Sequence, residues 1–183
     1  MTTKTLTYSH DSTQSRILWI SIFAVLTGIS AWIKIPLGFT PVPITLQTSV
    51  VLLSGVVLGK DGWWSQLAYV ILGGIGLPFF ASDLPGVQVL FGATGGYLIG
   101  FVAASAFVGY YIRPMWNQMP FWKKSAWLFL SSMLVFFPGV LQLWFFTSYP
   151  ISKVLILGFY PFLIGDVIKV CLVAATPKKW TLS

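Results

Sequence analysis

Long apolar blocks near residues 17–35, 44–59, 63–77, 95–112, 127–147 and 155–175 decide which solvent this chain can fold in. A helix needs about 20 mainly apolar residues to cross a hydrocarbon core of about 30 Å. The first, fourth, fifth and sixth blocks suit that length. The second and third are shorter, and fit short steep helices or the arms of a re-entrant hairpin as well as two crossings. Two crossings are the expectation carried forward, giving six transmembrane helices in an all-α integral membrane protein. Composition agrees, with 8% of residues charged and 56% hydrophobic, against about 25% charged in soluble domains. Residues 1–15 read as a polar tail that includes His10, and 16–183 as one membrane domain. The apolar stretch after Arg16 is longer than a signal-peptide core, and no small-x-small site precedes the next polar stretch, so a cleaved leader is not expected.

The net charge of +7 invites a nucleic-acid reading. The basic residues are scattered at block ends instead of forming one stripe, which excludes that class. Their positions carry topology. With both termini cytoplasmic, the inner segments hold Lys4, Arg16, Lys60, Arg113, Lys123, Lys124, Lys178 and Lys179, whereas the outer ones hold Lys34 and Lys153. That is a positive-inside pattern. Trp116, Trp122, Trp127 and Trp180 near span ends suit an interfacial aromatic belt. Cys171 is the only cysteine; it cannot form an intrachain disulfide or a cysteine metal cage, and it is expected to pack as a small apolar residue.

Two outer connections stand out. The first, 36–45, is punctuated by Pro36, Pro41 and Pro43, which lack a backbone donor and fix a dihedral, so it is neither a regular helix nor a central strand. The second, 78–94, is rich in glycine and proline yet carries Phe79, Phe80, Leu84, Val87, Val89, Leu90 and Phe91. Irregular backbone at membrane depth is tolerated where protein covers it or a cavity lies beneath. Both loops are expected to be ordered, with the second folded back over a pocket; a compact connection with no ligand below is the bland alternative.

Asp166 and Lys169 in the sixth block carry the sharpest chemistry. Three residues apart, they share one helix face. A charge at mid-bilayer costs about 3 kcal/mol on insertion scales, so such residues usually face the interior and are functional. About a dozen residues separate Asp166 from Lys178, or about 18 Å of helix, which leaves it in the outer half of the core. A mutually compensating structural pair is the alternative. At Thr94, Gly95, Gly96 and Tyr97 the glycines allow close backbone approach and helix-terminal N–H groups can meet a ligand, although Thr94 also suits an ordinary N-cap. Thr45 and Gln47 offer further hydrogen-bonding groups at the same outer surface. Ala24, Gly28 and Ala31 make a small-residue stripe on the first helix, fit for internal contact or for a partner. The chain has no phosphate-binding loop, no His-Glu-x-x-His pair and no Ser-His-Asp set, so no catalytic residue and no metal ligand is assigned.

The run 38–48, from Gly38-Phe39-Thr40-Pro41 to Leu46-Gln47-Thr48, resembles the signature of BioY proteins, the biotin-specific substrate-binding (S) components of energy-coupling-factor transporters. The likeness continues through Gly76-Leu77-Pro78-Phe79-Phe80-Ala81, through 91–101 around Thr94-Gly95-Gly96-Tyr97, and through 161–169 to Asp166-Val167-Ile168-Lys169. It implies a six-helix S-component fold in a bacterial-type plasma membrane, in contact with lipid. It also implies high-affinity capture of biotin as transported substrate, with no cofactor, and delivery inward with a T-component membrane subunit and two ATPase subunits. A homo-oligomer is compatible with it. The resemblance further implies that Asp166, Lys169, the Thr94–Tyr97 turn and the lid around Ser82 and Asp83 contact biotin, joined by Thr45 and Gln47. Ala24, Gly28 and Ala31 would dock the T component. Biotin suits such a site: Asp166 can accept from its ureido N–H groups, and Lys169 can donate to its carbonyl or pair with its carboxylate. Two departures are Ala93, where the family has proline, and Gln142, where a large apolar residue is expected; Gln142 is either a pocket hydrogen bond or a buried structural amide. Selection of another vitamin by the same fold is the alternative within transport, and a small intramembrane enzyme the alternative outside it.

Overall fold

The structure is a computed structural model and describes residues 13–82, 84, 86–177 and 180. The expectations placed on Lys4, His10, Asp83, Lys178 and Lys179 lie outside the described residues. Helix α1 (Thr13–Trp32) leads to strand β1 (Lys34–Ile35), strand β2 (Ile44–Thr45) and helix α2 (Gln47–Leu58). A single 3-10 turn, Gly59–Asp61, joins α2 to α3 (Gly62–Gly74). Then come the short α4 (Gly86–Phe91) and α5 (Gly95–Phe107), which runs on through a π-helical turn at Val108–Ile112 and a 3-10 turn at Arg113–Met115. Helices α6 (Phe121–Thr147), α7 (Ile151–Gly158) and α8 (Tyr160–Ala174) complete the chain.

Thr13–Trp32, Gly95–Met115, Phe121–Thr147 and Ile151–Ala174 are long and apolar enough to cross a membrane. On α1, Ala24, Thr27 and Gly28 are buried while Ile17, Leu18, Val25 and Ile29 are exposed. A helix apolar on all sides belongs in lipid, where such an exposed face has its proper solvent. Helices α2 and α3 have 12 and 13 residues, about 18–20 Å of helix, so they are the two short blocks of the sequence. The sixth block is two helices rather than one, broken at Phe159 (φ −133°, ψ −66°). Pro161 is the cause: it has no N–H to offer the carbonyl of Leu157. That carbonyl instead accepts from Thr40 Oγ1 at 2.7 Å, and the next one, of Gly158, from the Tyr97 hydroxyl at 2.7 Å.

Contacts at the two ends of the bundle set its polarity. At one end β1 and β2 pair antiparallel, with Lys34 opposite Thr45 and Ile35 opposite Ile44, closing the proline-rich loop into a collar. These two strands are the one departure from an all-α chain among the described residues. At the other end Arg16 makes a two-pronged ion pair with Asp61, Nε to Oδ2 at 2.9 Å and Nη2 to Oδ1 at 2.5 Å. It ties the start of α1 to the α2–α3 turn. Between the ends, Thr27, Gln66, Ser54 and Ser105 form a buried hydrogen-bonded chain across α1, α3, α2 and α5. Such bonds hold helices together where lipid offers no hydrophobic drive.

Helices α5 and α6 meet most closely. Pro138 inside α6 leaves the Leu134 carbonyl without its helical donor, and Gly100 lies against that strand of backbone. A Cβ at position 100 would stand 2.6 Å from Val135 Cα and 2.7 Å from the Leu134 oxygen. Gly100→Leu is therefore expected to lose about 1–3 kcal/mol through overpacking, read as a lower melting temperature of the detergent-purified protein. Ile99→Leu, at a residue 60% exposed, should leave it unchanged; equal melting of the two variants would refute this account of the contact.

Candidate functional site

A cavity of about 530 Å³ lies at the collar end of the bundle, within the usual range of about 300–1,000 Å³ for small-molecule sites. Four parts of the chain build it. The proline-rich loop and start of α2 bring Pro41–Pro43, Thr45, Gln47 and Thr48. The 78–94 segment brings Phe80–Ser82, Leu84, Gln88, Val89 and Phe91–Thr94. Tyr97, Leu98 and Phe101 come from α5, and Val135, Phe136 and Phe146 from α6. Finally α8 contributes Phe162 and Lys169.

The aromatic walls are fixed by one another. Phe136 stands edge-on to Phe159, with ring centroids 5.3 Å apart, and lies 6.4 Å from Phe162. Below Gln47, the buried Tyr69 takes Phe80 edge-on at 5.6 Å and accepts a hydrogen bond from Gln47 Nε2 at 2.5 Å. Gln47 Oε1 in turn accepts from Thr45 Oγ1 at 3.3 Å. Such a braced amide keeps one orientation, as a pre-organised binding group should.

Lys169 is the one charged side chain on the described cavity wall. It is 8% exposed, and no hydrogen bond or ion pair joins it to Asp166. A cation held this far from bulk water and facing an apolar chamber favours an acceptor oxygen or an anion within it. Asp166, 1% exposed, lies behind the wall. Its Oδ2 accepts from Ser132 Oγ at 2.5 Å, and its Oδ1 is buried without a partner. Among the described residues no group of three His, Cys, Asp or Glu side chains converges, and the described lining offers hydrogen-bonding groups among apolar walls.

The structure thus brings Lys169, Thr94, Tyr97, Ser82, Thr45 and Gln47 to one cavity and corrects the placement of others. Asp166 is turned toward α6 because Ser132 there supplies a donor. Gly95 and Gly96 face other backbone rather than the cavity: a Cβ on Gly95 would strike the Leu90 carbonyl at the end of α4 and lie 2.7 Å from Gln142 Nε2 of α6, and one on Gly96 would strike the Pro138 carbonyl. The Tyr97 hydroxyl is already bound to Gly158, leaving its ring for the cavity. Asp83 lies outside the described residues. Ala24, Gly28 and Ala31 are buried within the chain, and a Cβ on Gly28 would stand 2.7 Å from the Phe79 ring, so in this conformation the stripe serves internal contact. Trp116 is fully buried beneath the Lys124 ammonium, 4.4 Å from its ring centre, and is not part of an interfacial belt.

Sequence reasoning missed Thr48, Gln88, Phe136, Phe162 and Ser132. One signal was available: Phe162, Asp166 and Lys169 are spaced four and three apart and so share a helix face. The open question at Gln142 resolves to a structural amide, its Nε2 donating to the carbonyls of Leu90 at 2.9 Å and Gly92 at 2.7 Å.

Residues 1–182 match the sequence profile of the BioY family. Among similar proteins, the biotin transporter BioY of Thermotoga maritima is 40% identical over 158 residues, covering 84% of this chain and 88% of the relative. A probable biotin transporter BioY of Pyrococcus horikoshii is 35% identical over 157 residues, covering 82% and 86%. The biotin transporter BioY2 of Lactococcus lactis is 33% identical over 157 residues, covering 84% and 83%. A crystal structure of the S-component for biotin from an ECF-type ABC transporter superposes with a TM-score of 0.81 at 24% identity, covering 93% of this chain and 96% of that one. The two share a fold.

Proposed function

This chain belongs to the BioY family, and from that premise we propose that the cavity beneath the collar and the 78–94 segment is where it holds biotin. The protein is an integral membrane protein of biotin uptake. The observation that carries the site is the Lys169 amine, without a hydrogen-bond partner, on the wall of an otherwise mainly aromatic and aliphatic chamber. Biotin offers what this chamber lacks: oxygen acceptors for a cation, an apolar bicyclic body for Phe136, Phe162 and Phe101, and ureido groups for Thr45, Thr48, Ser82, Gln88 and Thr94. Asp166 acts from behind, balancing the charge of Lys169 without touching ligand.

The working assembly follows from the same reading. Helices α1, α2, α3, α5, α6 and the α7–α8 pair form six crossings of one membrane domain, with both termini cytoplasmic. In support, Arg16, Lys60 and Arg113 collect at the end opposite the collar, and Lys34 lies at the collar itself, in keeping with positive-inside bias. Energy comes from a T component and two ATPases, because this chain carries no phosphate loop. Docking through Ala24, Gly28 and Ala31 requires Phe79 to move off Gly28, a rearrangement coupled to release of the 78–94 segment.

Isothermal titration of the detergent-purified chain with biotin tests the site, and co-purification with a T component tests the assembly. One biotin per chain is expected, with no heat from thiamine or riboflavin. Absence of heat with biotin would remove the assignment, and equal heats from all three would leave a non-selective cavity.

A further inference from the structure

Three of the side chains that line the cavity are also strongly exposed: Leu84 at 58%, Phe91 at 80% and Phe146 at 61%. Phe91 ends α4, and Phe146 lies near the collar end of α6, so the cavity reaches the surface along the seam between these two helices. On the opposite wall the chain is fixed. Pro41 and Pro43 stiffen the loop, Val42 is buried, Thr40 is bound to Leu157, and the β-ribbon closes the base.

The α4 side of the seam rests on the ends of α3 and α5, and side-chain tethers join it to α1 and α6. Helix α4 has six residues, far below the length at which a helix is stable alone. Ahead of it, Trp32 Nε1 donates to the Pro78 carbonyl at 2.9 Å and Lys34 Nζ to that of Ala81 at 3.4 Å. Behind it, the Gln142 amide holds the carbonyls of Leu90 and Gly92. Gln142 is four residues before Phe146, so both lie on one face of α6, and the amide sits directly under the seam. Gly95 makes this possible, since any side chain there would strike the Leu90 carbonyl itself and crowd the amide that binds it. The close approach at Thr94-Gly95-Gly96 thus finds its reason in a bond that crosses from α6 to the end of α4.

We propose that Gln142 is the latch of the access route: the seam between α4 and α6, rimmed by Phe91 and Phe146, opens when the amide releases Leu90 and Gly92. Gln142 is then a positioning residue that sets how fast the cavity exchanges its contents. The part of this inference that concerns biotin rests on the cavity being the biotin site; the latch itself does not.

The test uses the full-length chain with Cys171→Ser to remove the native thiol and Thr48→Cys to place one in the cavity. Modification of that cysteine by a water-soluble maleimide reports opening with no ligand present. Gln142→Leu, which removes both donors, and Gln142→Glu, which keeps the shape but cannot donate as a carboxylate, should each raise the labelling rate about tenfold. The rate of biotin release into excess unlabelled biotin should rise by a similar factor in the Thr48-containing protein. In a third protein, Phe91→Cys with Phe146→Cys, a short bis-maleimide added after loading should trap biotin. Labelling rates equal to the parent in both Gln142 variants overturn the latch. Biotin exchange in the cross-linked protein at the uncross-linked rate overturns the seam. A Thr48-containing protein that binds no biotin, together with faster labelling in the Gln142 variants of the Thr48→Cys protein, sinks the biotin assignment and upholds the latch.

Discussion

Lys169→Met should abolish useful biotin binding. Lys169 stands on the cavity wall with no hydrogen-bond partner of its own, so in the proposed site its hydrogen bonds go to biotin. Losing one side of a desolvated, charge-assisted bond costs about 2–5 kcal/mol, a rise in Kd of about 30- to 5,000-fold. Methionine keeps the length and apolar stem of lysine, so the walls formed with Phe136 and Phe162 stay in place and the loss reports charge. Lys169→Arg should recover little, because a planar fork needs more room than a compact ammonium. The measurement is titration of purified variants with biotin. A Lys169→Met protein that binds within about threefold of the parent, far short of the roughly 30-fold minimum loss expected, would show that the ligand does not engage this wall.

What the sequence revealed and what it hid divide along a physical line. Apolar block length located every long helix, since hydrocarbon thickness acts on the chain directly and needs no tertiary contact to be read. Proline placement marked the shaped loop at 36–45 for the same reason: Pro41 and Pro43 act locally. The break at Phe159 was equally local, and Pro161 announced it, but the continuous hydropathy of 155–175 masked it. Tertiary geometry was the part that stayed hidden. Asp166 and Lys169 share a helix face, yet one lies behind the wall and the other on it, because Ser132 on α6 is within reach of Asp166 alone. No spacing within α8 contains that fact. Gly95 and Gly96 looked like a ligand cradle, and their openness is instead taken up by the Leu90 and Pro138 carbonyls, with Gln142 beside them. Trp116 looked like an interfacial ring, but the turn after α5 folds it inward under Lys124.

Freed carbonyls recur as the joints of this molecule. Pro161 releases the Leu157 carbonyl, which Thr40 takes from the collar loop; the neighbouring Gly158 carbonyl goes to Tyr97 on α5. The end of α4 offers Leu90 and Gly92 to Gln142. In a low-dielectric setting an unpaired backbone carbonyl is costly, so each joint binds loop to helix firmly while both partners are present. Each also rests on one or two hydrogen bonds instead of a continuous ladder, so a joint can open without unfolding the helices beside it. The cavity is surrounded by such joints, which suits the proposed role of a chamber that holds and releases biotin.

The same asymmetry between wall and interior predicts a separation of stability from binding at Asp166. Removing Lys169 leaves the Asp166 carboxylate buried, with Ser132 on Oδ2 and nothing on Oδ1. Asp166 and Lys169 make no direct ion pair, yet each offsets the burial of the other; removing one of two buried opposite charges costs up to about 3–5 kcal/mol, whereas removing both is often neutral. Lys169→Met alone should therefore unfold at markedly lower temperature or denaturant than the parent. Adding Asp166→Asn should restore most of that loss, because the amide keeps the volume and can still accept from Ser132. Biotin binding should not return with it, since the missing donor is Lys169. Asp166→Asn alone should bind biotin within about tenfold of the parent, the scale of an indirect electrostatic effect. Calorimetric unfolding and biotin titration of the two single variants and the double variant complete the cycle. If Asp166→Asn alone lost as much affinity as Lys169→Met, the carboxylate would have to reach the ligand, and the cavity wall at α8 would have to rotate to bring it there.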